Sequence, residues 1–306
     1  MKKVLIDASG LIYASGFIHG NMTRDSDDLP VGVLFGVLQT IFKLANDLKT
    51  NDFIFCLDSS ASKRRDIYPD YKGNRKDKSK EIERILHQIP MLLKMLEDLG
   101  FKNLIKAHGY EADDLIAHYA LNKEPDEKVV IVSSDEDMYQ LLSKTVRMWP
   151  VRKKEWITEK VLMETYGCTP DMYLEAKIIT GCGTDNVKGI DGVGIKKAVQ
   201  FLCGEMNEKT KTFQKIQDNL DQIRKTNRIL ITIPFDGAVD VPAEDLELKD
   251  NQFVDDDTYL EIMTELQFDF MINNISHWRG FKKGRDVSKA GRRERVSRRM
   301  KKKGKK

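Results

Sequence analysis

The chain lacks any apolar run of the ~18–20 residues that a membrane-spanning helix requires, so no span is expected anywhere in its 306 residues. Cysteine is scarce: Cys56, Cys168, Cys182 and Cys203 stand far apart and match no zinc-site spacing. Reduced thiols and a cytoplasmic location are the expectation. Nor is a leader peptide expected, because Asp7 ends the apolar stretch after only Val4-Leu5-Ile6. No internal repeat is present.

Charge, by contrast, is abundant and unevenly placed. The formal net charge is only +3, yet residues 282–306 hold 14 Lys/Arg against 2 Asp/Glu. Residues 1–281 hold 37 against 46. An acidic body with a basic tail points to an anionic polymer as partner, with an attraction that falls steeply with salt. The tail 282–306 is expected to be disordered, and nothing apolar is expected to pack from Gly280 onward.

The hydrophobic pattern predicts strands at Lys3–Ile6, Phe53–Leu57, Asn103–Ala107 and Val129–Val132. Helices are predicted between them at Leu34–Leu48, Glu81–Leu99 and Glu111–Leu121. Strands alternating with helices imply an α/β fold with a mainly parallel, doubly wound sheet over residues 1–160. Beyond that, Thr158–Tyr166, Met172–Ile179, Ile195–Leu202, Phe213–Leu220, Asp221–Ile231 and Asp257–Leu266 read as helices, giving a helical region over 161–281.

The acidic residues carry the chemistry. Asp7 and Asp58 each follow a predicted strand, and Ser134-Asp135-Glu136-Asp137 follows another. Glu111-Ala112-Asp113-Asp114 opens a helix. A single such acid is commonly a helix cap. Several converging on one rim, where α/β folds build sites, would repel one another unless cations neutralise them. Hard divalent cations take oxygen ligands of this kind together with substrate phosphate. Residues 63–80 are strongly basic, with Lys63, Arg64, Lys72 and Arg75 among them. The stretch Gly181–Ala198 sets five glycines, with Asp185, Lys196 and Lys197, between two predicted helices. Glycines let backbone approach a phosphate, and the following helix presents free N–H groups to it.

These motifs, in this order, resemble the 5′-nuclease family: flap endonucleases, phage 5′→3′ exonucleases including the phage RNase H type, and the 5′-nuclease domain of bacterial DNA polymerase I. The resemblance rests on Asp7-Ala-Ser, Asp58 with Tyr71-Lys72-Gly73-Asn74-Arg75, Glu111-Ala-Asp113-Asp114, Ser134-Asp135-Glu-Asp137 and Gly181–Ala198. It covers roughly residues 3–200. It implies a PIN-like catalytic core, a helical gateway at about 63–100, and a helix–three-turn–helix that grips duplex DNA. It further implies Asp7, Asp58, Glu111, Asp113, Asp114, Asp135, Asp137 and Asp185 as direct or water-mediated ligands of Mg²⁺ or Mn²⁺. Lys72 and Arg75 match the catalytic basic pair. Lys63, Arg64, Gly189, Gly192, Gly194, Lys196 and Lys197 fall to DNA binding, with a monovalent cation such as K⁺ at the Gly189–Gly194 turn. The implied substrates are DNA 5′ ends, flaps and nicks, or RNA·DNA hybrids, handled by a monomer.

One position departs from the family pattern. Cys182 stands where the family carries an Asp, and a thiol is a poor ligand for a hard cation. A weakened second metal position is therefore expected. That substitution keeps open a second reading, a branched-DNA-binding protein with weak or no cleavage. A PIN-type ribonuclease is a third. An aspartyl phosphotransferase is disfavoured, because Asp7 is followed by Ala8-Ser9 with no second Asp. No docking box for a sliding clamp is found near the C-terminus.

Overall fold

In the computed structural model, residues 2–75 and 79–284 are described, with the Arg75 side chain left aside. The basic tail beyond residue 284 lies outside them. Five strands, β1 (Lys2–Asp7), β2 (Ile54–Leu57), β3 (Leu104–Lys106), β4 (Lys128–Val132) and β5 (Val146–Met148), form one sheet in the order β3-β2-β1-β4-β5. The pairings of β1 with β2, of β1 with β4 and of β4 with β5 are parallel. The chain builds outward from β1 to β2 and β3, then returns to the other side of β1 for β4 and β5. Val4, Leu5 and Ile6 on β1 and Val129, Val130 and Ile131 on β4 have no solvent exposure. Continuous apolar runs, rather than alternating ones, are what strands covered on both faces require.

The chain divides into two compact units, each discontinuous in sequence. One comprises residues 1–8, 54–77 and 105–247. It contains almost all of the sheet, the helix Ala112–Leu121 and the helices Pro170–Thr180, Ile195–Leu202 and Lys211–Ile231. Of the described residues, the other comprises 9–53, 79–104 and 248–284. These units cut across the boundary near residue 160 that the change in sequence pattern suggests.

The second unit corrects two expectations. The helix expected over Glu81–Leu99 is two helices, Lys80–His87 and Ile89–Asp98. Pro90 cannot donate a backbone hydrogen bond into the preceding turn. Gln88 at the break instead accepts the Val33 N–H through its side chain at 2.9 Å. Packing also does not stop at Gly280. Trp278 and Phe281 are completely buried on the helix Ser276–Lys282. They join Phe42, Phe53, Phe101, Phe253 and Tyr259, with Tyr259 and Trp278 stacked at 4.7 Å. Among the described residues, no helix is long and apolar enough to cross a membrane.

Candidate metal centre

Asp7 ends β1, Asp58 follows β2 directly, and Asp135 lies just beyond β4. Because these strands are parallel neighbours, the three carboxylates reach one rim, at the point where the sheet order reverses. Ser133 ties two of the strand ends together. Its hydroxyl donates to Asp7 Oδ2 at 2.9 Å and accepts the Asp135 N–H at 3.1 Å. Asp58 Oδ1 accepts the Ala112 N–H at 2.8 Å, which anchors the start of the helix Ala112–Leu121 to the same rim.

Asp113, in the first turn of that helix, thereby enters the field of the strand-end acids. Burial, with the charges of Asp7, Asp135 and Asp58, pushes its carboxyl well above the ordinary range. Burial and Asp137 raise Asp135 likewise. Carboxylates crowded in this way hold a proton unless a cation offsets their repulsion, and an all-oxygen set of this kind suits a hard divalent ion.

A second cluster adjoins the first. One ligand atom each of Asp137, Cys182 and Asp185 lies within 4.8 Å of the others. Asp137 comes from the short helix Glu136–Leu141, and Cys182 and Asp185 from the turn after Pro170–Thr180. Burial, then Asp185, raises the Cys182 thiol. Lys177, which sequence reasoning missed, places Nζ 2.5 Å from Asp137 Oδ1. Burial alone would lower this ammonium, but Asp137, with Cys182 and Asp135, together outweigh it and hold the group above its usual value. Its only sequence signal is a cation one helical turn before the glycine-rich stretch.

The basic loop docks onto that same turn. Lys72 N–H donates to the Asp185 carbonyl at 2.8 Å, and Asn74 Nδ2 to that of Gly183 at 3.0 Å. Asn186 Nδ2 returns a bond of 2.9 Å to the Asp70 carbonyl. Lys72 takes a left-handed backbone conformation, with φ 54°. Its Nζ sits 2.9 Å from Glu111 Oε1 and 3.9 Å from Asp185 Oδ1. Tyr71 hydroxyl donates to Glu111 Oε2 at 2.9 Å and lies 3.3 Å from Asp185 Oδ2. Glu111 is thus held by Lys72 and Tyr71 at the edge of the acid cluster.

Two expected site residues are turned away from this centre. Asp114 has no solvent exposure. Its two oxygens accept from both terminal nitrogens of Arg64, from the Glu111 N–H and from the Phe235 N–H. That set fills the acceptor sites of a carboxylate and leaves little for a metal. Arg64, at 2 % exposure, donates also to the Leu230 carbonyl and is unavailable to DNA. Both residues instead build the core beneath the site. Lys63 is half-buried, with Nζ 2.8 Å from the Tyr110 hydroxyl and over its ring. Arg75 falls in a short helix at Gly73–Arg75, and its side chain lies outside the described residues.

The glycine-rich turn divides by purpose. A Cβ on Gly189 would come within 2.0 Å of the Thr180 carbonyl, so this glycine permits a backbone crossing. Gly192 (φ 77°) and Gly194 have open space around them. Gly194 precedes the helix Ile195–Leu202, on which Lys196 and Lys197 are exposed. Lys197 Nζ bonds the Gly192 carbonyl at 3.0 Å.

Comparison with known proteins gives a concordant result. Residues 2–167 match the family model of the 5′-3′ exonuclease N-terminal resolvase-like domain. The chain is 31 % identical over 238 residues to a 5′-3′ exonuclease of Buchnera aphidicola subsp. Schizaphis graminum, covering 77 % of each. It is 32 % identical over 267 residues to DNA polymerase I of Rhizobium leguminosarum, covering 80 % of this chain but only 26 % of that protein's length. The T5 D15 protein, co-crystallized with metal ions, has a similar fold, with a TM-score of 0.61 at 20 % identity over 86 % of this chain and 99 % of that one.

Proposed function

The chain belongs to the 5′→3′ exonuclease family, and on that premise we propose that it is a divalent-metal-dependent 5′→3′ exonuclease and flap endonuclease, hydrolysing phosphodiester bonds in DNA at 5′ ends, flaps and nicks. The observation that carries this reading is the convergence of Asp7, Asp58, Asp113 and Asp135 on one rim, where burial, with the charges of the other three, pushes the Asp113 carboxyl well above its ordinary range.

We assign Asp7, Asp58, Asp113 and Asp135 to a first Mg²⁺ or Mn²⁺ position, and Asp137 and Asp185 to a second that Cys182 weakens. Bound there, the ions would supply Lewis acidity at the scissile phosphate and a more acidic water. Glu111 holds Lys72 at the edge of this cluster. Lys72 offsets charge that develops on the phosphate oxygens, together with Arg75. Ser133 and the Ala112 N–H fix Asp7 and Asp58 in place, so neither carboxylate needs to reorganise as charge builds. Gly192, Gly194, Lys196 and Lys197 offer backbone N–H groups and positive charge to a phosphate chain, as a duplex-gripping helix–three-turn–helix would. A K⁺ ion at this turn would lie near the Lys197 ammonium, which bonds the Gly192 carbonyl. The described cysteines are all free thiols, which supports a reducing, cytoplasmic setting. RNA primers in RNA·DNA hybrids fall within the same chemistry, and a monomer suffices for it.

Cleavage of an end-labelled 5′-flap substrate, with Mg²⁺ and then with Mn²⁺, tests the reading. Asp113→Asn should abolish turnover while DNA binding persists. Retained turnover in that variant would remove the assignment. A parent chain that binds flaps but cuts with neither metal would favour a branched-DNA-binding protein, the reading that the thiol at position 182 and the Lys177–Asp137 ion pair support.

A further inference from the structure

The strand β5 is followed by a feature that the carboxylate centre does not use. Met148 and Ile157 form an antiparallel bridge with reciprocal hydrogen bonds of 2.9 and 3.1 Å, closing a short ribbon over 148–157. Its turn is tightened by Lys154 N–H donating to the Pro150 carbonyl at 3.0 Å, with Lys154 in the left-handed region at φ 52°. Trp149 and Trp156 face each other across it, ring centroids 4.7 Å apart, and both are half-buried. Arg147 lies 4.4 Å over the Trp156 ring. At the tip, Arg152, Lys153 and Lys154 are exposed, and among the described residues none of the three makes an ion pair.

The position of this ribbon in the sheet gives it meaning. Because β5 runs parallel to β4, the ribbon leaves the sheet at the same end as Asp135. Trp149 N–H is bonded to the Ile131 carbonyl at 2.8 Å, and Asp135 lies four residues further along the chain, just past the end of that strand. Among the described residues none of these three cations contacts an acid, so internal neutralisation of the carboxylate rim does not explain them. Exposed cations grouped with indole faces form the combination that holds a single nucleic-acid strand: charge for the phosphates, and a stacking platform for the bases.

We propose that the ribbon over 148–157 is a contact surface for single-stranded DNA beside the carboxylate rim, with Arg152, Lys153 and Lys154 on phosphates and the Trp149–Trp156 pair stacking a base. This rests on the nuclease reading for its substrate, but its test does not depend on cleavage. Trp149, Trp156 and Trp278 are the only tryptophans, and Trp278 is fully buried, so quenching of indole fluorescence by oligo(dT), with metal chelated, reports the ribbon. Quenching is expected. The triple variant Arg152→Ala/Lys153→Ala/Lys154→Ala is expected to bind labelled oligo(dT) about tenfold more weakly at moderate salt. Its log K against log salt slope should be smaller by about 2, since each phosphate contact on a single strand contributes roughly 0.7. Trp156→Ala should weaken binding while leaving the slope unchanged. Parent-like affinity and slope in the triple variant, or indole fluorescence that oligo(dT) does not quench, would overturn the proposal. If those results came with normal flap cleavage by the parent chain, the ribbon would be refuted and the nuclease reading would stand.

Discussion

Arg64 grips Asp114 through both ends of its guanidinium, Nη1 to Oδ2 at 2.7 Å and Nη2 to Oδ1 at 2.8 Å, in a pocket where Asp114 has no solvent exposure. Removing one partner of a buried pair strands the other's charge, which costs about 3–5 kcal/mol. Asp114→Ala and Arg64→Ala should each destabilise the fold by that order in denaturant unfolding. The double replacement should cost less than the sum of the two. Strict additivity would mean that the pair is not coupled.

The raised carboxyl of Asp113 ties stability to pH in a definite direction. In the fold it holds its proton to a higher pH than in the unfolded chain, because burial and Asp7, Asp135 and Asp58 disfavour the charged form. The folded state therefore binds more protons above the ordinary carboxylate pKa of about 4. This group's stabilising contribution is present below that value and is lost as pH rises through its raised folded pKa. Metal-free protein should thus lose part of its thermal stability as pH rises from about 4 towards neutrality. Mg²⁺ should restore it, because an ion that binds only the folded state stabilises by mass action. Asp113→Asn should flatten the metal-free profile, as followed by Tm against pH with and without Mg²⁺.

Lys72 is assigned to the developing charge on the phosphate. Loss of one such preorganised donor costs about 2.7–4 kcal/mol, or about 10²–10³-fold in turnover. Lys72→Ala should fall in that range in single-turnover cleavage, and an unchanged rate would remove Lys72 from the mechanism. Lys72→Arg should restore only part of the rate, because a planar fork does not replace a compact ammonium between Glu111 and Asp185.

Cys182 leaves the second cluster one oxygen short. Cys182→Asp should tighten binding of a second Mn²⁺ by about tenfold, equivalent to about 1.4 kcal/mol, as read by calorimetry. It should also lower the metal concentration needed for cleavage. The same variant should be less stable than the parent without metal, because three carboxylates would then share the space of two. Unchanged ion affinity would place the second ion elsewhere.

Much of this was legible in the residues because burial imposes simple patterns. A strand covered on both faces must be apolar throughout, so the strands around Val4–Ile6 and Val129–Val132 stand out in sequence. The helix Ala8–His19 was missed because its apolar and small residues have no clear periodicity. The strand Val146–Met148 was missed because three residues are too few for a pattern to register. Gly189 was read as a phosphate-facing glycine, but its purpose is a backbone crossing with Thr180, and that depends on a partner distant in space. Lys177 and the tryptophan ribbon carry no motif at all.

What the sequence determined by itself was the alternation of strand and helix and the placing of acids where strands end, since chain order alone brings those positions to one rim in a parallel sheet. What only tertiary structure decided was which acids remain available there. Asp113 and Asp114 are neighbours in one helical turn, but successive residues diverge by about 100° around a helix. That rotation sends Asp114 into the core to meet Arg64 and leaves Asp113 among the strand-end carboxylates, and no local pattern could have separated the two.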